Sequence, residues 1–294
     1  MKKLANKIKR IGLIGNLEKA ACVESVRKAV RFIQRAGRKV LCDAETARLA
    51  QLNAVTRANV AALARDVDLL LVFGGDGTIL HVARDIAGSM TPMLGINIGG
   101  LGFLTAVPSD ELSHALGHIW RGEFKYESRT LIEANGCCNG RQIRASALND
   151  IVVSRGAVSR LIGLDVDVDG EPLTHYRCDG LIISSPTGST AYSLAAGGAV
   201  VFPTAEVFAL TPICPHTLSN RSIILPLTST IGIKAMNPFP STILSADGQV
   251  VANLDAGDKV TIHRSRHAVR LMRLADTSFM EALRRKLQWR GAYI

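Results

Sequence analysis

The chain has 294 residues, a length that predicts two domains at roughly 100–200 residues each. Hydrophobic residues make up 47% of the chain and charged residues 20%, which excludes a wholly disordered protein. The net charge of +10 favours anionic partners such as phosphates, while an aromatic content of 5% argues against a base-stacking surface for single-stranded nucleic acid. The six cysteines form no C-x-x-C pair, and no apolar run suits a signal peptide or a membrane span. We therefore expect a cytoplasmic protein with reduced thiols.

The first 122 residues alternate between strand and helix patterns. Short apolar strands are predicted at residues 11–15, 39–42, 68–73 and 93–97. Helices are predicted at residues 18–36, 44–65 and 79–88, and a fourth from an N-cap at Ser109 to Gly122. Strands that alternate with helices favour a parallel sheet with right-handed crossovers, and so predict a Rossmann-like α/β domain over residues 1–122.

Residues 123–270 change to the two-residue period of strands and predict a β-rich sandwich domain. The turn signals Asn139–Gly140 and Asp169–Gly170 predict two hairpins. Strands are predicted at residues 129–138, 141–148, 151–153, 161–168, 181–185, 223–227, 229–236, 241–246 and 258–264. The last segment, residues 271–294, carries a predicted helix at 277–289 that we expect to pack back on the N-terminal domain.

A glycine-rich turn, GGDGT at residues 74–78, follows a predicted buried strand and precedes a predicted helix. Ligands of open α/β sheets bind beyond the carboxyl ends of the strands, and glycines let backbone amides approach phosphate oxygens. Asp76 within the turn can take a proton from an attacking hydroxyl group or hold a metal ion. The structural alternative is a tight turn that merely needs glycine. The chain has no G-x-x-x-x-G-K-[ST] motif, so a phosphate site here would differ from a P-loop.

Two further segments are candidates for binding a nucleotide. Six serine and threonine side chains occur between Ser184 and Ser193, after an apolar strand, and Tyr192 lies among them. Hydroxyl groups can bind a sugar or the polar edge of adenine, and a tyrosine can stack on a base, although a capped helix start is the alternative. Asn149–Asp150 places an amide beside a carboxylate, a pair that can grip a ribose diol but is more often a turn.

Three other features have simpler interpretations. His114 and His118 are four residues apart and can bind a metal ion, but without an obvious third ligand we expect an exposed helical pair. Asp247–Gly248 indicates a hairpin turn. The glycines of residues 97–104 either line the same crevice as Asp76 or only turn the chain.

These motifs, in this order, resemble the NAD kinase family over most of the chain. GGDGT is also similar to motifs of diacylglycerol, sphingosine and 6-phosphofructokinases. NIGGLGFL at 97–104 agrees with NAD kinases, and three motifs are similar to them in particular: DGLIISSPTGSTAYSLAAGG at 179–198, TPICPHTLSNRS at 211–222 and DGQ at 247–249. The resemblance implies transfer of the ATP γ-phosphate to the 2′-hydroxyl of the adenosine ribose of NAD, giving NADP. It also implies a divalent metal ion, usually Mg²⁺, and a homo-oligomer, either a dimer or a tetramer.

The same resemblance implies roles for individual residues. The general-base role is carried over onto Asp76. Contacts to nucleotide are carried over onto Asp76, Gly77, His81, Asn149, Asp150, Arg160, Arg177, Asp179, Thr190, Ala191, Tyr192, Ser193, Leu194, Ala195 and Gln249. His81 stands where many relatives carry arginine or lysine, and Asp150 replaces a common glutamate with a shorter carboxylate.

Three interpretations from other classes stay open. A lipid kinase with the same glycine turn would phosphorylate diacylglycerol or sphingosine. A non-catalytic NAD(P) sensor would bind dinucleotide without forming a product, although the presence of Asp76 argues against it. A nucleic-acid binder is suggested only by the net charge, and no binding motif supports it.

Overall fold

The computed structural model describes residues 7–16, 20–100, 102–138, 140–158, 160–216, 220–236 and 242–289. The chain divides into two compact units: residues up to Ser128 together with those from Val269 onward, and Arg129–Ala268. Leu101 of the predicted glycine loop and Asn139 of the first predicted hairpin turn lie outside the described residues. Within the described ranges, no helix has both the length and the apolar composition needed to cross a membrane.

The first unit is built on a parallel sheet. Its strands are β1 Arg10–Gly15, β2 Lys39–Asp43, β3 Val55–Arg57, β4 Leu69–Gly74, β5 Met93–Asn97 and β6 Thr105–Pro108. Its first helices are α1 Ala20–Arg35, α2 Ala44–Leu49, α3 Val60–Asp66, α4 Asp76–Asp85 and α5 Leu112–Arg121. The strand order is β5-β4-β1-β2-β3, with β6 beside β5, and every pair is parallel. The prediction of an α/β unit with a parallel sheet is confirmed.

The central strand β4 is covered on both faces. All six of its residues are buried. Leu69, Leu71 and Phe73 belong to a core that also contains apolar residues of α1 and α5. Leu70 points to the other face, where its side chain and that of Leu63 both approach Gly12. This two-sided burial explains why the strand has a continuous apolar sequence without alternation.

The structure corrects three helix boundaries in this unit. The single helix predicted at 44–65 is wrong, because α2 and α3 are separated by the short strand β3. Gln51 takes a left-handed φ of 52° after α2, and the Asn59 side chain accepts a hydrogen bond from Ala62 N at 2.8 Å to begin α3. Ser109 is not an N-cap, since it opens a 3₁₀ turn that precedes α5. Helix α4 begins at Asp76, three residues before the predicted start.

The second unit contains two antiparallel sheets. Its strands, some of which extend beyond the unit, are β7 Phe124–Cys138, β8 Arg141–Ala147, β9 Asp150–Arg155, β10 Ile162–Val168, β11 Glu171–Cys178, β12 Gly180–Ser184, β13 Val207–Ile213, β14 Ile223–Pro226, β15 Ile231–Ala235, β16 Thr242–Ala246, β17 Gln249–Leu254 and β18 Lys259–Leu274. One sheet has the order β14-β13-β12-β9-β16-β17. The other carries β11-β10-β15 and the first part of β18, and β7 pairs with β8. Both sheets contribute to one apolar core, which confirms the predicted β sandwich.

Two predicted hairpin turns are present in the second unit. Asp169–Gly170 joins β10 to β11 with φ values of 53° and 86°, and Asp247–Gly248 joins β16 to β17 with φ values of 46° and 76°. Both residues of each turn therefore lie in the left-handed region that such turns require. The strand β11 was not predicted, because it lies at a sheet edge and most of its residues are exposed, which removes the alternation.

The chain returns to the first unit at its end. The last part of β18 runs parallel to β5, with Leu271 opposite Met93. The final helix is α7 Phe279–Lys286, and the helix predicted at 277–289 agrees with it to within three residues at each end. Between α5 and α7 the chain forms a short helix in the second unit, α6 Tyr192–Ala195. The Phe279 ring lies 6.4 Å from the Phe103 ring, so α7 contacts the loop that follows β5.

Candidate functional site

Asp76 is the first residue of α4 and follows β4 after one intervening glycine. Its carboxylate is held by the loop between β5 and β6. Oδ2 accepts a hydrogen bond from Phe103 N at 2.8 Å. Oδ1 accepts bonds from Leu104 N at 3.1 Å, from Thr105 N at 3.1 Å and from the Thr105 hydroxyl at 3.3 Å. The side chain is therefore fixed in orientation at the carboxyl end of a buried strand.

The same loop needs glycine at residue 102. A Cβ atom placed on Gly102 would lie 1.9 Å from Asp76 Oδ1, which is far inside a van der Waals contact. The Gly102 amide also donates a hydrogen bond to the Thr105 hydroxyl at 3.2 Å. The sequence left open whether these glycines line a crevice or only turn the chain. In the structure, the loop both turns the chain and holds the carboxylate of Asp76.

A cavity of about 480 Å³ lies beside the start of α4. Its lining comes from the carboxyl ends of β1 and β2 and from α2, α3 and α4, and includes Asp43, Glu45, Gly77, Thr78 and His81. Of the sequence-predicted residues, Gly77 and His81 are thus placed on one cavity. The His81 ring is exposed, and its Nε2 lies 3.6 Å from an Asp85 carboxylate oxygen. The cavity has the position that nucleotide sites take in open α/β sheets.

In the second unit, the residues before β9 are held by hydrogen bonds from two sides. The Asp247 carboxylate accepts bonds from the amides of Leu148, Asn149 and Asp150 at 2.9, 2.8 and 3.3 Å. On the other side, the Ser185 hydroxyl donates to Leu148 O at 2.5 Å and the Ser185 amide donates to Asn149 O at 2.8 Å. Sequence reasoning treated Asp247 only as a turn residue, and so missed this role.

Gly188 lets the hydroxyl-rich segment approach the same residues closely. A Cβ atom at Gly188 would lie 2.2 Å from Asn149 O, so any larger side chain would push the two segments apart. Asn149 and Asp150 therefore lie between the turn Asp247–Gly248 and the segment that follows β12. Gln249 begins β17 directly after that turn, with its side chain exposed.

Asp150 is the most perturbed carboxyl group of this region. Only 5% of the residue is exposed. Burial, together with the neighbouring charge of Asp247, raises the pKa of Asp150 to about 7. A carboxyl group with such a pKa changes its charge close to neutral pH, which is typical of functional sites as well as of buried ion clusters.

The hydroxyl groups after β12 mostly bond to their own segment. Ser189 donates to Pro186 O at 2.7 Å, and Thr190 donates to Thr187 O at 3.3 Å. Ser193 is buried, and its hydroxyl lies 3.0 Å from that of Thr211. These bonds shape the turn and the short helix α6, which carries the predicted residues Tyr192, Ser193, Leu194 and Ala195 and follows Thr190 and Ala191. The Tyr192 side chain is accessible to solvent, with 47% of the residue exposed.

The remaining predicted residues differ in their surroundings. Asp179 is half-buried, and its Oδ1 accepts a hydrogen bond from Arg155 Nε at 2.8 Å, an ion pair that the sequence did not reveal. Arg160 and Arg177 are exposed. Both arginines belong to the second unit, as do Asn149, Asp150 and Asp179. Asp76, Gly77 and His81 belong to the first unit.

Comparisons with known proteins agree over most of the chain. The ATP-NAD kinase N-terminal domain matches residues 11–124, and the ATP-NAD kinase C-terminal domain matches residues 148–274. NAD kinase of Syntrophotalea carbinolica is 38% identical over 283 residues, covering 96% of this chain and 99% of the relative. NAD kinase of Solibacter usitatus is 39% identical over 284 residues, covering 96% and 98%.

Two solved structures resemble the fold. A yeast NADH kinase in complex with NADH has a TM-score of 0.89 at 27% identity, covering 98% of this chain and 89% of the other. An NAD kinase from Archaeoglobus fulgidus in complex with ATP has a TM-score of 0.73 at 24% identity, covering 96% and 100%. The second similarity concerns the fold alone.

Proposed function

This chain belongs to the ATP-NAD kinase family, and we propose from that premise that Asp76 is the general base of its reaction. The protein is an ATP-NAD kinase, which phosphorylates NAD with ATP. The acceptor in our proposal is the 2′-hydroxyl of the adenosine ribose. The observation that supports Asp76 most directly is its fixed carboxylate at the end of β4.

The hydrogen bonds of Asp76 leave Oδ2 as the carboxylate oxygen that can act as the general base. A carboxylate has about four lone-pair sites. Among the described residues, Oδ1 accepts three hydrogen bonds and Oδ2 accepts one. Oδ2 therefore retains a site that can accept the hydroxyl proton while the amide of Phe103 holds the group in place.

The proposed step balances as follows. The ribose O–H bond breaks and its proton moves to Asp76 Oδ2, while the ribose oxygen forms a bond to the γ-phosphorus. The bond between that phosphorus and the bridging oxygen breaks, and ADP leaves with the electron pair. Positioning and charge neutralisation provide most of the acceleration in phosphoryl transfer, and a general base typically adds about 10²–10⁴-fold.

The cavity beside α4 fits a metal-bound nucleotide. Asp43 and Glu45 are among its lining residues, and carboxylate oxygens are ligands that Mg²⁺ accepts together with substrate phosphates. Glu45 is the better candidate of the two, because the Asp43 carboxylate already accepts hydrogen bonds from Thr46. When bound, Mg²⁺ neutralises charge that develops on the phosphate oxygens.

We assign NAD binding to the second unit. Asp150 and Asn149 bind the adenosine ribose in this proposal, because their backbone is held firmly by Asp247 and Ser185. Tyr192 supplies an exposed ring for the adenine base. Arg160, Arg177, Asp179 and Gln249, with residues 190–195, stay proposed nucleotide contacts. Separate roles for the two units, a cytoplasmic location and a homo-oligomeric assembly stay proposals as well.

The test is the substitution Asp76→Asn, which keeps the size of the side chain and removes its basicity. Incubation with NAD, ATP and Mg²⁺, read out by an NADP-specific dehydrogenase, should show kcat lowered by at least about 10²-fold while NAD still binds. The matched control is Asp110→Asn, which changes an exposed aspartate of the turn before α5 and should leave kcat unchanged. Near-normal turnover of Asp76→Asn would remove this residue from the mechanism.

A further inference from the structure

Two histidines of α5 and one aspartate of the first unit lie close together. His114 and His118 lie one helical turn apart on α5, and their Nε2 atoms are 3.1 Å apart. The third group is Asp276, which lies between β18 and α7 and is far away in sequence. One ligand atom from each of the three side chains lies within 4.8 Å of the other two. The third ligand that the sequence did not reveal is therefore present in the fold.

The spacing of these atoms suits a metal ion. A zinc ion binds histidine nitrogen at about 2.0–2.1 Å, so two ligands of a tetrahedral site lie about 3.3 Å apart. The observed 3.1 Å between the imidazole nitrogens is close to that separation. The two rings are nearly perpendicular, with an angle of 82° between their planes, so they do not stack on each other.

A carboxylate lies close to the ring nitrogen of His118 that does not face His114. Glu123 Oε2 lies 2.7 Å from His118 Nδ1, on the side of the ring away from His114. A carboxylate this close favours a proton on Nδ1, and the tautomer with that proton leaves the Nε2 lone pair available to a metal. Glu123 is itself held by Arg121, whose guanidinium Nη2 lies 2.8 Å from Glu123 Oε2.

Glu123 also connects the helix to the segment that carries Asp276. Its amide donates a hydrogen bond to His118 O at 2.9 Å, and its carbonyl accepts one from Ala275 N at 3.2 Å. Since Ala275 precedes Asp276 directly, the residue that lies beside His118 Nδ1 also holds the backbone next to the third ligand. These two bonds join the backbone of α5 to the segment that carries the third ligand.

We propose that His114, His118 and Asp276 bind one zinc ion at this place, with a fourth coordination position left to water. Imidazole nitrogen with a carboxylate oxygen is a ligand set for zinc and similar transition metals, whereas Mg²⁺ and Ca²⁺ prefer oxygen alone. His114 and Asp276 are exposed, so the ion can enter from solvent. Bound zinc would link α5 to the segment before α7 and stabilise that part of the first unit.

The experiment uses the full chain without a histidine tag, freed of metal with a chelator that is then removed. Calorimetric titration with Zn²⁺ should give one equivalent of tight binding, and Co²⁺ should give the visible absorption bands of a four- or five-coordinate site, which zinc then abolishes. His114→Ala and Asp276→Asn should each weaken binding at least tenfold. Glu123→Gln should weaken it by about 10–100-fold, since it removes only the group that orients His118.

The matched control is His175→Ala. His175 is also exposed and lies beside a carboxylate, with Nδ1 2.6 Å from Asp165 Oδ1, but among the described residues it belongs to no group of three potential metal ligands. Its substitution should leave zinc affinity unchanged. The melting temperature should rise with zinc in the wild type and not in His114→Ala. Less than one equivalent of zinc, a six-coordinate Co²⁺ spectrum, or binding that both ligand variants retain would overturn the proposal.

Discussion

The substitution Asp247→Ala tests whether the turn between β16 and β17 positions Asp150 for NAD. It removes two short hydrogen bonds to a charged acceptor, from Leu148 N at 2.9 Å and from Asn149 N at 2.8 Å, and one longer bond at 3.3 Å. Bonds to charged groups contribute about 1.5–3 kcal/mol each. Asp247 is only half-buried, so water can replace part of the loss, and relief of its repulsion with Asp150 offsets more. We expect the free energy of unfolding to fall by about 3 kcal/mol.

Loss of this clamp should also weaken substrate binding. If the residues before β9 shift and one hydrogen bond from Asp150 to the ribose is lost, NAD KM should rise about 10- to 100-fold. Urea unfolding measures the first effect, and initial rates at saturating ATP and Mg²⁺ measure the second.

The matched control for this prediction is Asp169→Ala. Asp169 also occupies a hairpin turn at positive φ before a glycine, and its Oδ1 accepts a hydrogen bond from Thr230 N at 2.7 Å. Both variants place alanine in the left-handed region, so the backbone cost is shared. Asp169→Ala should lower stability without changing NAD KM. The reasoning fails if Asp247→Ala keeps a wild-type KM, or if the control raises KM equally.

Two further predictions concern the carboxylates. Gly102→Ala places a methyl group against Asp76 Oδ1 and should lower kcat at least tenfold. The control is Gly100→Ala, whose added methyl group meets no atom within 4 Å and should leave kcat unchanged. Equal kcat values for the two variants would show that the position of Asp76 is unimportant. The pKa of Asp150 is about 7 in the folded state, against an ordinary value of 3.8 for an aspartate. Between these two pH values the folded state keeps a proton on Asp150 that the unfolded state has released. Unfolding free energy should therefore decline from about pH 4 to pH 7, by up to about 4 kcal/mol, and level off above it. Urea midpoints of Asp150→Asn should lack that decline, and an identical slope in both proteins would contradict the assignment.

Local patterns predicted most elements that bury one or both faces. The apolar run of β4 and the turn signals Asp169–Gly170 and Asp247–Gly248 depend on residues within a few positions of each other, and all three predictions are confirmed. The edge strand β11 was missed because its exposed residues carry no alternating pattern. The break between α2 and α3 was missed because alanine and leucine favour a helix on both sides of it.

The sequence by itself located the motifs, since GGDGT, Asn149–Asp150 and the hydroxyl-rich segment are each contiguous. Their partners depend on contacts between distant parts of the chain. The Asp76 carboxylate bonds to residues 27–29 positions away, and the Asp247 carboxylate bonds to residues 97–99 positions away. Asp276 meets His114 and His118 only because β18 returns to the first unit. No local propensity encodes such pairs, because they form only once strand order and register bring the two segments together.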